Sequence, residues 1–227
     1  MELSITLIIV IVTVLVSIGA FSNQKILDDL IFYGPAVSQR RQWYRMLTHG
    51  LIHADPAHLI FNMIALYSFG NALETVFSSS CLFGQMGRVM YFILYVTALV
   101  AASIPDLLKH RDNYHFRSLG ASGAVSAIIF ASIVVLPTTR VGIIFLPFSV
   151  PGYLFAVIYL AISAYLDKKG GGNINHGAHM WGALYGLFFT IAFIYAMGHL
   201  DIIDNFKEQL RAERPFIPDY CSILRLR

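Results

Sequence analysis

Four polar side chains fall in stretches that are otherwise apolar: His58, Asn62, Ser122 and His179. A serine hydroxyl becomes a nucleophile when a base lies beside it, and a histidine on a neighbouring element is the usual base. His58 and Asn62 are four residues apart and would share one face of a helix. There they could donate hydrogen bonds to an oxyanion formed at the serine. Ser122 opens its apolar run, so a helix N-terminus at that point would favour nearby negative charge. The chemistry open to this set is attack on a carbonyl. No Asp or Glu lies in the runs that hold Ser122 and His179, and the one carboxylate inside a span is Glu74, at the far end of the run that begins at His58. A Ser–His dyad is therefore expected rather than a full triad.

Metal chemistry is the competing use of these residues. His49, His53, His58, His176 and His179 crowd together, but there is no HExxH pattern and no span carries a carboxylate near them. Neither a metal nor another cofactor is expected. Cys81 and Cys221 lack the spacing for a zinc site or a disulfide framework. Each polar residue also has a plain structural reading: Ser122 as packing in a Gly/Ala-rich helix, His179 as a satisfied buried histidine, Asn62 as interhelical glue. Their convergence on one place, in complementary roles, is what argues for catalysis.

The elements that must position them follow from composition. Of 227 residues, 57% are hydrophobic and only 13% charged, with mean hydropathy +0.66, against about 25% charged in a soluble domain. A disordered chain and a soluble globule are both excluded. The net charge of +3 is small and scattered, so no nucleic-acid partner is expected. The expected fold is all-α, a polytopic membrane bundle of six helices, with the lipid bilayer as solvent. The spans are Leu3–Phe21, His58–Val76, Val89–Ile104, Ala121–Leu136, Pro151–Leu166 and His176–Leu200. The first is too long for a signal-peptide core, so no removable signal is expected. Val141–Val150 reads as an interfacial loop, Gly170-Gly171-Gly172 as a hinge, and Ser22–Ala57 as a long ordered loop one. Residues 1–200 form the membrane domain and 201–227 a polar tail.

Spans two, four and six each begin after an odd-numbered loop. Their first residues, and so all four polar side chains, lie near one membrane face. Gly123 with Ala127, and Gly182 with Gly186, are small residues four apart that allow close backbone approach. The fourth and sixth spans can thus bring Ser122 beside His179. Charge does not orient the bundle: seven Lys/Arg fall on one side and nine on the other.

Three segments together resemble the rhomboid intramembrane serine proteases: Gly120-Ala121-Ser122-Gly123, the stretch from Thr48 to Asn62 with His49, His53, His58 and Asn62, and Ala178-His179 followed by Gly182 and Gly186. The resemblance runs from about Gln42 to Gly186. It implies Ser122 as nucleophile, His179 as general base and then acid, and His58, Asn62 and the Ser122 N–H as oxyanion hole. It implies transmembrane protein substrates cut in or near their membrane segments, without a cofactor. Gln42-Trp43-Tyr44-Arg45 resembles the family's loop-one motif, partly embedded in the membrane, and Glu74 a structural glutamate. Ser126 departs from the pattern, because many members carry an aromatic there that packs on the catalytic histidine. Trp181 or Tyr185 could take over that support, or His179 is held less firmly. The expected location is the bacterial inner (plasma) membrane, with the active site facing outward and the tail in the cytosol. The alternative function is a rhomboid-like pseudoprotease that binds transmembrane helices without cutting them. A transporter would want an intramembrane charge or a repeat, and neither is evident near the polar cluster.

Overall fold

The computed structural model describes residues 3–80, 82–142, 149–170, 172, 174–197 and 201–212. Both cysteines, Gly171, and Arg214, Arg225 and Arg227 of the tail lie outside them. The first helix, α1 (Ile5–Ser22), starts where the Ser4 hydroxyl accepts the Leu7 N–H. It faces the core with Thr6, Thr13 and Ser17 beside Ile9 and Ala20, and turns Ile8, Ile11, Val12, Leu15 and Ile18 outward. Leu15 is 66% exposed. That inverted pattern suits a helix whose outer surroundings are hydrocarbon.

Loop one folds into short helices α2 (Gln24–Leu30), α3 (Gly34–Arg40) and α4 (Arg45–Thr48), with a 3₁₀ turn at His49–Leu51. Segments this short do not persist alone. Buried Arg45 holds them, its guanidinium donating to Asp28 O at 2.7 Å, Ile31 O at 2.9 Å and Gln42 Oε1 at 2.6 Å. Thr48 Oγ1 donates to Leu30 O at 2.9 Å. The carbonyls of Asp28, Leu30 and Ile31 at the end of α2 are thereby satisfied.

The bundle continues with α5 (Pro56–Phe77), α6 (Gly87–His110), α7 (Ser122–Val135), α8 (Gly152–Lys169), α9 (His176–Met197) and α10 (Ile202–Ala212). Among the described residues, four helices are long and apolar enough to cross a membrane: α1, α5, α6 and α9. The short apolar helix α7 lies at the centre, against α5, α6 and α9. All of its residues but Ser122, Ile129 and Val134 are buried. Fourteen residues reach only about 21 Å at 1.5 Å each. Below it, Asn205 and Gln209 of α10 donate to the terminal Val135 carbonyl at 3.1 and 2.8 Å. The segment expected to be an interfacial loop carries two paired strands, β1 (Arg140–Gly142) and β2 (Ser149–Pro151), with Val141 opposite Val150. Glu74, at the end of α5, accepts from Ile5 N, Thr6 N and Thr6 Oγ1 at 2.8–2.9 Å. It caps α1 and pairs with Arg88 at 3.3 Å.

One span differs from expectation in a way that matters. α6 does not stop at Ile104 but runs through Pro105 to His110. A membrane helix tolerates the N–H that proline removes when neighbouring elements hold the segment. Asp106 is thereby a second carboxylate within a long membrane helix, beside Glu74, and it is buried.

Candidate active site

Two glycines set the distance between α7 and α9. A Cβ on Gly182 would lie 2.0 Å from Gly123 O, and one on Gly186 would lie 2.1 Å from Ala127 O. The backbones are in direct contact at two successive turns, as the small-residue spacing suggests. Gly123 itself has Ala178 O 3.3 Å from where its Cβ would sit. The contact thus falls one residue after Ser122 and one before His179.

Ser122, His58 and His179 line one cavity of about 480 Å³, whose wall includes Phe61, Leu99, Ser103, Asp106 and Asn175. Ser122 is the first residue of α7, and no side chain caps that end. The first amides of a helix have no partner within it, so those of Ser122 and Gly123 point along the axis toward any negative charge at the mouth. His58 enters from the first turn of α5, fixed by Asp55, whose carboxylate accepts the His58 N–H at 2.8 Å. Gly120 has φ +112, and a Cβ there would meet the His58 ring at 2.8 Å. Only glycine allows both that backbone and that approach. Asn62 is not among the cavity's lining residues; its amide donates to His58 O at 2.9 Å, along its own helix.

The segment before Ser122 is held by loop one at three points. Phe32 and Ser118 exchange backbone bonds of 3.0 and 3.2 Å, and Gly120 N donates to His49 O at 2.9 Å. Ala121 N donates to His53 Nε2 at 3.4 Å. His53 Nδ1 faces Ser17 Oγ at 3.0 Å, and that hydroxyl donates onward to Leu51 O at 2.9 Å. Burial, the largest influence, pushes the His53 imidazole down to about 4 and does the same for His49. Both are therefore neutral at ordinary pH.

Neither aromatic considered for supporting His179 is its ring neighbour. Trp181 is 45% exposed, and Tyr185 donates to Thr97 Oγ1 at 2.8 Å. The ring beside His179 is His176, edge-on at 5.9 Å. Ser126 pairs with Tyr159 of α8 at 2.6 Å. Two cavity residues and one support outside it escape the sequence reading of the site: Asp106, because Pro105 reads as a stop; Asn175; and His53, as the support of Ala121. Asn175 carried a usable signal, an Asn directly before a helical run.

Comparison with known proteins agrees with this architecture. A rhomboid domain model matches residues 40–196. RHOMBOID-like protein 12, mitochondrial, of Arabidopsis thaliana is 29% identical over 62% of this chain and 43% of its own length. Presenilin-associated rhomboid-like protein, mitochondrial, of Homo sapiens is 28% identical over 64% and 36%. Rhomboid protease GluP of Bacillus subtilis is 29% identical over 66% and 26%. The matched stretch thus spans less than half the length of these curated relatives. The expected bacterial inner membrane location is corrected by them: relatives from a plant, a fish and mammals are mitochondrial rhomboid-like proteins. Physical chemistry alone had favoured a bilayer without saying whose. Since the matched domain runs without a break from α4 through α9, across both helices that meet at Ser122 and His179, the chain belongs to the rhomboid family.

Proposed function

We propose that this chain is an intramembrane serine endopeptidase that hydrolyses peptide bonds in or near the transmembrane segments of other membrane proteins. Ser122 is the nucleophile. His179 takes its proton and returns it to the leaving amine. The Ser122 N–H and His58 donate to the oxyanion. Asn62 joins them if its amide turns from His58 O when substrate enters. In this reading α7 and α8 complete a six-helix bundle, α10 after residue 200 docks on the end of α7 rather than forming a free tail, and the chain resides in a mitochondrial membrane.

One observation carries the proposal: the backbone contact of Gly123 with Gly182 sets Ser122 and His179 on the wall of one cavity. The test is incubation of the purified full chain with a transmembrane substrate, beside Ser122→Ala and His179→Ala. Wild type should cut. Each variant should lose cleavage, and the double variant should be no worse, because nucleophile and base act as a unit. A chelator should change nothing. Wild type that binds the substrate and leaves it intact would favour the pseudoprotease reading.

A further inference from the structure

The cavity wall holds a carboxylate that the dyad does not use. Asp106 Oδ2 accepts from Asn175 Nδ2 at 2.5 Å. The same Nδ2 lies 3.0 Å from Ser118 Oγ, to which it donates. At its other end, Asn175 Oδ1 accepts the Ala178 N–H at 3.0 Å, and the Asn175 carbonyl accepts the His179 N–H at 3.3 Å. Asn175 therefore caps α9 with both backbone and side chain, while its amide nitrogen reaches α6 and the segment leading to Ser122. Three elements meet at this one residue: the helix of the base, the helix of Asp106, and the strand-like segment bridged to Phe32.

The choice of residue is informative. Serine, aspartate and asparagine all cap a helix about equally well. Only an amide accepts from the helix and donates outward at once. Aspartate at this place would face Asp106, and Asp167 is close as well: a Cβ on Gly177 would lie 2.7 Å from Asp167 Oδ1 and 3.5 Å from Asn175 Oδ1. Local capping alone would not need the amide; the ties to Asp106 and Ser118 do.

We propose that Asp106 and Asn175 are a positioning pair that locks the first turn of α9 and so holds His179 in register with Ser122. The proposal rests on the protease reading for its effect on turnover, but not for its effect on the helix. Neither residue is assigned contact with the reacting atoms.

The experiment uses the full chain in detergent and four variants: Asn175→Ser, Asn175→Asp, Asp106→Asn, and the exchanged pair Asp106→Asn with Asn175→Asp. Asn175→Ser keeps the cap and drops the outward ties. Asn175→Asp keeps the cap and sets two carboxylates face to face. The exchanged pair restores one donor facing one acceptor with roles reversed. Amide hydrogen exchange over residues 176–180, measured in a Ser122→Ala background, reads the helix without requiring activity. Exchange over α1 controls for global folding. Loss of a charge-assisted bond corresponds to about a tenfold change or more. Asn175→Asp should speed exchange at Ala178 and His179 by about that factor, and the exchanged pair should recover most of it. In active enzyme, kcat should fall about tenfold in Asn175→Asp and Asn175→Ser with KM little changed, and return in the exchanged pair. Unchanged exchange in Asn175→Asp overturns the proposal, and so does an exchanged pair no better than Asn175→Asp. Faster exchange with full kcat overturns the link to His179. If wild type cuts nothing while the exchange response and its recovery are seen, the protease reading fails and the tie stands.

Discussion

His53 has neither a proton nor a lone pair to spare. Its Nε2 accepts the Ala121 N–H, so its proton sits on Nδ1 and goes to Ser17 Oγ, whose own proton is committed to Leu51 O. The tautomer follows from the partners. Removing the ring leaves a buried amide next to Ser122 without an acceptor, a loss of about 1–3 kcal/mol. His53→Ala should lower both melting temperature and cleavage rate, with Ser122 still present; an unchanged rate would mean Ala121 needs no such anchor. The two oxyanion candidates should separate as well. Losing one such donor costs about 10²–10³ in rate. His58, already on the cavity wall, should approach that loss as His58→Ala, in kcat rather than KM. Asn62→Ala should lose less, because its amide is engaged with His58 O. At this scale residue type and spacing led to one cavity wall, where the structure places both Ser122 and His179. The sequence was silent on Asp106 and on His53's link to Ala121, whose roles depend on partners 69 and 68 residues away.

Helices enforce that geometry through what they lack. A methyl at residue 182 would sit 2.0 Å from the Gly123 carbonyl oxygen, so α7 and α9 would have to part by more than an ångström to admit it. Misplacement of about 1 Å can cost about 10² in rate. Gly182→Ala should therefore reduce cleavage by about one to two orders of magnitude, while Gly142→Ala, with open space around it, serves as control. Comparable activity in the two variants would deny the contact its role. The long apolar runs of α1, α5 and α9 were legible because burial in lipid demands an unbroken apolar stretch. The helices of loop one were not, since α2, α3 and α4 depend on Arg45 and Thr48 reaching carbonyls elsewhere in the loop. Nor was the reach of α6 past Pro105, because proline reads as a stop unless the elements around it are known.

The whole molecule is stapled differently at its two ends. Away from the site, Glu74 caps α1 and α10 closes α7. At the site, loop one clasps the Ser118–Ala121 segment through backbone bonds and the His53 imidazole, with the His49 ring buried beside them. His49 has backbone of Met46, Leu99 and Gly120 around it, and His53 faces His58, Asp55, Ser17 and Ala121. Both titrate at about 4 in the folded chain because burial opposes the charged form, against about 6.5 when unfolded. The sign follows. Above about 6.5 neither state is protonated, and the clasp contributes in full. As pH falls from there toward 4, the unfolded chain takes up protons that the folded chain refuses, so stability falls with pH and levels off below about 4. Melting temperature in detergent should be flat from pH 8 to 7 and drop steadily toward pH 4.5. His53→Gln, which keeps one donor and one acceptor but does not titrate, should start from a lower melting temperature and decline less steeply, by about one proton's worth of slope. The decline is the measurement that counts, since the variant's lower starting point says only that the ring packs well. Equal slopes in wild type and variant would mean that His53 is already charged or already exposed in the native state, and the loop-one clasp on the Ser118–Ala121 segment would have to be redrawn.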